Sequence, residues 1–191
     1  MADGSLPPAP NLTKWDRRYL GLAAHIRGWS KDPRGRVGAV LVAPDLNRIV
    51  ATGFNGFPQR IEDDVDRLSD KPTKLDMMLH AEQSALLHAG RDARGGTLYV
   101  VGKPVCNHCA VLAIQSGIRR VVAAAPRPGT KSEWDRRGFI SARLFAEAGL
   151  TFDAVQDDVL RDLMPGEVPS HEPTPAPSAP EPSAPAPSGT A

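Results

Sequence analysis

His80, Glu82, Cys106 and Cys109 are the residues whose types and spacing could do chemistry. The chain has two cysteines, and both fall in the run Cys106-Asn107-His108-Cys109, well downstream of His80-Ala81-Glu82. One histidine and two cysteines make the protein ligand set of a catalytic zinc site, which keeps its fourth position for water. Zinc lowers the pKa of such a water towards about 7. Glu82 stands two residues from His80, placed to carry a proton rather than to bind metal. A closed structural site would need a fourth protein ligand. His108 is the nearby candidate, but on a helix it points away from the face that both sulfurs share. A redox CxxC would not bring a paired His-x-Glu with it, and Cys106 and Cys109 are too close for a long stabilising disulfide loop. His25, His88 and His171 have no partner pattern.

These residues must be positioned by secondary structure that the sequence marks out. Thr13 with Asp16 three residues on reads as a helix start, and Trp15, Tyr19, Leu22, Ile26 and Trp29 give that helix an apolar, core-facing stripe. Pro33 stops it. Residues 37–42 are a near-continuous apolar run of strand length, expected to be buried on both faces. The turn residues 44–47 and a second strand over 48–53 complete a hairpin. A polar loop is expected from 54 to about 75, its acidic residues Glu62, Asp63, Asp64 and Asp66 forming a solvated surface. A helix over 75–89 then carries His80-Ala81-Glu82 near its beginning. Strands follow at 97–101, 118–125 and 151–155, alternating with helices at 107–116 and 133–148. Helix, hairpin and alternating strands and helices predict an α/β domain with a mixed sheet. Each ligand cluster falls in the first turn or two of a helix, where unpaired N–H groups and partial positive charge favour thiolates.

Composition narrows the rest. The chain is 191 residues long with a formal net charge of +1, which argues against nucleic acid and acidic membrane as partners. No apolar run approaches the roughly 18–20 residues needed to span a bilayer. The N-terminus lacks the basic region and apolar core of a secretory signal, so a cytoplasmic, reducing location is expected and the sequon at Asn11 is a chance match. The expected organisation is a Pro-rich leader over 1–10, one domain over 11–164, and a disordered Pro/Ala/Ser-rich tail over 165–191. The tail carries no basic residue beside its prolines, which argues against an SH3-like partner.

His-x-Glu followed by a Pro-adjacent Cys-x-x-Cys is the signature of zinc nucleobase deaminases. The chain resembles the deoxycytidylate (dCMP) deaminase family of that superfamily in Ser30-Lys31-Asp32-Pro33 with Val37-Gly38-Ala39, and in Gly53-Phe54-Asn55-Gly56-Phe57-Pro58. His80-Ala81-Glu82, Cys106-Asn107-His108-Cys109-Ala110 and Ile114-Gln115-Ser116-Gly117-Ile118 extend the likeness, which covers roughly residues 14–155. The resemblance implies a cytidine-deaminase-like three-layer α/β/α sandwich with a five-stranded mixed sheet, and a homo-oligomer. It implies Zn2+ on His80, Cys106 and Cys109, with Glu82 as proton shuttle. Water activated at the metal would add to C4 of cytosine while Glu82 protonates N3, and loss of ammonia would leave uracil. The implied substrate is a small-molecule nucleotide, with Asn55 on the sugar, backbone groups around Ala81 on the base, and Ser30 among the substrate contacts. Lys31, Arg34, Arg36, Arg60 and Lys103 lie near loop ends where a monophosphate could sit. The chain differs from the family pattern at Val105, which separates Pro104 from Cys106, and at Gln83-Ser84 after the glutamate. Alternatives are the same chemistry on another cytosine nucleoside or nucleotide or on transfer-RNA adenosine, and an inactive deaminase-like binding module. Glu82 argues against the last, because a purely structural domain needs no proton shuttle.

Overall fold

In the computed structural model, which describes residues 6, 10–45 and 48–163, Thr13 caps α1 (Lys14–Arg27) as its sequence predicts. The Thr13 hydroxyl accepts a hydrogen bond from the Asp16 amide, and the Asp16 carboxylate accepts from the Thr13 amide at 2.8 Å. Nearly all of the leader, the hairpin-turn residues Leu46 and Asn47, and residues 164–191 with the Pro-rich tail lie outside the described residues.

α1 buries the middle of the expected stripe but not the tryptophans at its ends, with Leu22 partly buried against the core. Tyr19, Leu20, Ala23, Ala24 and Ile26 are buried, whereas Trp15 and Trp29 are 44% and 54% exposed. Close approach explains why small residues, rather than the tryptophans, join the buried face. The backbone of α1 lies so near β1 (Gly38–Val42) that a Cβ at Gly38 would overlap the Ala23 carbonyl. Small residues fit against the sheet at that distance and indoles do not.

β1 pairs antiparallel with β2 (Ile49–Phe54) and with β3 (Thr97–Val101). β3, β4 (Arg120–Ala124) and β5 (Thr151–Val155) run parallel, giving the five-stranded order β2-β1-β3-β4-β5. Strand residues alternate between two cores, as the two-residue side-chain period requires. Val40, Val42, Tyr99, Val101 and Val122 face α1 and α7 (Asp157–Leu163), a last helix that the sequence reading did not anticipate. Ala39, Leu41, Leu98, Val100 and Val121 face the side covered by α4 (Ala81–Ala89), α5 (Asn107–Gln115) and α6 (Glu133–Glu147). This is the expected three-layer sandwich. Among the described residues, no helix is long and apolar enough to cross a membrane.

Two expectations are corrected between β2 and α4. The polar loop contains α2 (Val65–Ser69) and α3 (Lys71–Met77), capped by Asp64 and Asp70, so one of the acidic surface residues is a helix cap. The helix expected over 75–89 is broken in the middle. Met78 is extended, and Leu79 exchanges both backbone hydrogen bonds with Gly56, at 2.9 and 3.1 Å. Backbone groups spent on that bridge cannot carry a helix through the segment. α4 therefore starts afresh at Ala81. It packs flat on β2 because Gly53 has no side chain there; a Cβ would collide with the Ala81 carbonyl.

On the opposite face, Asp16 is fully buried and accepts from Tyr99 at 2.8 Å and from Arg120 at 2.6 Å. Burial opposes its ionisation, but Arg120, Thr13 and Tyr99 together outweigh it and hold the carboxyl down to about 2. An Asp depressed in the folded state stabilises it above the unfolded value near 4, and that contribution is lost as pH falls towards 2. By linkage it amounts to about 2 kcal/mol. In urea titrations between pH 7 and pH 2, Asp16→Asn is therefore expected to flatten the acid limb of the stability curve; a curve parallel to that of the wild type would show the network to be inert.

Candidate active site

The metal-ligand candidates stand where two helices begin. His80 is the N-cap of α4 and Cys106 the N-cap of α5, with Cys109 one turn further on. His80 thus lies just before its helix rather than within it, a consequence of the break at Met78-Leu79. The imidazole Nδ1 is 3.2 Å from the Cys109 sulfur and 3.4 Å from that of Cys106. Among the described residues these form a group of three whose ligand atoms all lie within 4.8 Å of one another. A tetrahedral ion with Zn–N near 2.0 Å and Zn–S near 2.3 Å has N···S edges of roughly 3.5 Å, so the donor set fits zinc in type and in spacing. His108 is exposed and outside the group.

The surroundings prepare the sulfurs. Both cysteines are fully buried at helix N-terminal ends. A hydrogen bond with Cys109, helped by His80, pushes the Cys106 thiol down to about 4, while the same bond and burial push Cys109 up. A metal ion held by both sulfurs takes them as thiolates and releases their protons. The His80 pKa is raised: burial lowers it, but the Cys106 hydrogen bond and the Glu82 charge prevail. Glu82 is buried, hydrogen-bonds to Cys109, and has its pKa raised chiefly by that burial.

His80 and Glu82 open onto a cleft of about 300 Å³, also lined by Asp32, Arg34, Gly35, Asn55, Lys71, Lys74, Ala81, Lys103 and Trp134. Of the residues predicted to meet substrate, Asn55 and Ala81 line this cleft and Ser30 does not. The Asn55 carboxamide accepts from the Val37 amide at 2.7 Å and donates to the Gly35 carbonyl at 3.0 Å, which fixes its orientation. Ser30 lies behind it, donating from its hydroxyl to the Asn55 carbonyl at 2.7 Å. Arg34 and Lys103 reach the cleft, whereas Lys31, Arg36 and Arg60 are outside it, Lys31 being paired with Asp63 at 2.9 Å.

Sequence reasoning missed Lys74, Lys71 and Trp134. Lys74 is buried and bonds Asp32 at 2.9 Å. That contact joins residues forty-two apart, and no local spacing reveals it. Trp134 comes from the first turn of α6, its ring 5.7 Å from that of His80.

The two departures from the expected pattern also find a place. Val105 is buried in the core, and its carbonyl accepts from Ser141 of α6 at 2.7 Å, so the extra residue before Cys106 is tied down. The Gln83 side chain accepts from the His80 amide at 2.9 Å, the reciprocal half of a capping box at the start of α4.

A family model for the cytidine and deoxycytidylate deaminase zinc-binding region matches residues 13–125. The chain belongs to this family. An uncharacterized deaminase of Aliivibrio fischeri, from the luxG 3′ region, is 35% identical over 78% of the chain and 99% of its own length. Human deoxycytidylate deaminase is 32% identical over 80% of the chain and 85% of its own. Among solved structures, dCMP deaminase of the cyanophage S-TIM5 in complex with dCMP and dUMP superposes with a TM-score of 0.60 at 22% identity. That match covers 76% of the chain and all of the phage protein, and shows the cytidine-deaminase-like fold. The protein is thus a zinc-dependent deaminase acting on a nucleobase or nucleotide, with a His80–Cys106–Cys109 cluster.

Because Gln83 holds the backbone of His80, Gln83→Leu should weaken zinc binding by this deaminase by about tenfold or more, as loss of a partner that orients a ligand does. Competition with a chromogenic chelator measures it, and an unchanged zinc affinity would assign Gln83 to helix capping alone.

Proposed function

We propose that the protein hydrolyses deoxycytidylate (dCMP) to dUMP and ammonia. The observation that carries this reading is the cleft itself, where His80 and Glu82 lie beside a wall of Arg34, Lys71 and Lys103 suited to an anionic nucleotide. The human relative, a deoxycytidylate deaminase, supports it. The chain's net charge of +1 favours a free nucleotide over a nucleic-acid polymer.

His80, Cys106 and Cys109 would hold the zinc ion. When bound, zinc supplies a water whose pKa falls towards about 7. Glu82 would carry one proton from the attacking water to N3 of cytosine as C4 accepts the oxygen, and then carry the remaining proton of the new C4 hydroxyl to the departing amine. Water is consumed and ammonia leaves, so the atoms balance. Burial favours the neutral carboxyl and so suits Glu82 to hold a proton between these steps. Backbone around Ala81 would hold the base at the start of α4. The Asn55 Oδ1 keeps a second lone pair for a sugar hydroxyl, and Ser30 would act on substrate only through Asn55. Burial of this constellation excludes bulk water from the proton path.

Zinc-loaded protein given dCMP, deoxycytidine and cytosine should release ammonia from dCMP in step with dUMP. Failure to turn over dCMP with zinc confirmed bound would refute the reading. Glu82→Gln should retain zinc and lower kcat by roughly 10²–10⁴, the usual worth of a general acid–base. Activity within a few-fold of the wild type would remove Glu82 from the proton path.

A further inference from the structure

Lys103 is the cation of the cleft whose placement is most tightly specified and least accounted for. Its ammonium sits 4.3 Å from the centroid of the Trp134 ring, the same indole that touches His80. On its other flank is Gly35, where a Cβ would run into the ammonium. The ammonium therefore occupies a notch cut by the absence of a side chain and is held there by a cation–π contact. Lys74, close by, is already paired with Asp32, and the Arg34 guanidinium donates to the Ser69 carbonyl at 2.7 Å. Among the described residues, half-buried Lys103 makes no ion pair within 4 Å; Asp32 attracts it from further off but is itself bonded by Lys74. A half-buried ammonium whose one attractive carboxylate is already bonded by Lys74 gains a full counter-charge only from a ligand.

We infer that Lys103, held in place by Trp134 and Gly35, is the specificity-determining residue that reads a phosphomonoester on the substrate and separates nucleotides from nucleosides. The inference rests on the cleft being the deamination site but not on the base being cytosine. Lys71, in the first turn of α3 and also on the cleft wall, adds long-range attraction from an exposed position. Lys103, by contrast, is partly stripped of water, where a charge-assisted hydrogen bond to phosphate is strongest. Arg137 lies further from the same indole, at 6.0 Å, and does not line the cleft.

Calorimetric titration of the zinc-loaded protein with deoxyuridine and dUMP, and with deoxyguanosine and dGMP, tests this without turnover of a cytosine substrate. The quantity read is the ratio of nucleoside to monophosphate dissociation constants. It should be at least about tenfold in the wild type, fall to near unity in Lys103→Met, and be largely kept in Lys103→Arg. Gly35→Ala retains the charge but displaces the ammonium, and should also lower the ratio. It serves as the independent probe should Lys103→Met lose zinc or fold. A wild-type ratio near unity, or a ratio that neither substitution moves, overturns the assignment of Lys103. A normal ratio carried by the purine pair, with the pyrimidine pair unbound, would overturn the dCMP reading while leaving Lys103 as the phosphate reader.

Discussion

The paired backbone of Leu79 and Gly56 fixes where α4 begins, and the geometry of the site depends on that starting point. Without the break, His80 would lie inside a continuous helix with its backbone groups consumed by the helical ladder. With it, His80 becomes an N-cap whose amide is held by Gln83 and whose imidazole faces the two sulfurs. The same bridge fastens the end of the β2 loop, which carries Asn55, to the residue before the ligand. Gly53 then lets the new helix lie directly on β2, so Glu82 is buried beside the metal cluster rather than left in solvent.

Two helices beginning at one place give the site its electrostatic character. α4 and α5 both direct their N-terminal ends at the His80–Cys106–Cys109 cluster, and the partial positive charge there favours thiolate sulfur. Around them Asp32 acts as an organising carboxylate. It accepts the amides of Arg34 and Gly35 and the Lys74 ammonium, and lies beside Asn55. Burial opposes its charge, but these donors prevail and keep its pKa low. One buried carboxylate thus shapes the loop that forms the cleft wall and pins α3 to it. Since Lys74 is consumed in that work, the wall is left with cations in excess, in a chain that is close to neutral as a whole.

Much of this was legible in the sequence, because it depended on local spacing. The near-continuous apolar run of β1, the Thr13–Asp16 cap and the His-x-Glu and Cys-x-x-Cys spacings all act within a few residues of themselves. Val105 and Gln83 looked like departures from a pattern, and only their partners explain them: Ser141 for the one and the His80 amide for the other. The tryptophans show the limit of periodicity. Trp15 and Trp29 sit at apolar helical spacings, yet both are substantially exposed, and Trp134 lines the cleft.

The sequence by itself determined the zinc-ligand types and the α/β class, since each follows from residue chemistry and short-range geometry. Tertiary structure alone decided how closely α1 lies on the sheet, that the helix before His80 is broken, and that Lys74 is spent on Asp32 while Lys103 is not. Those outcomes rest on contacts between segments far apart in the chain: a carbonyl of α1 against Gly38, Leu79 against Gly56, and Lys103 in the notch between Gly35 and Trp134. Packing distance and competition for partners set them, and neither is written in the spacing of neighbouring residues.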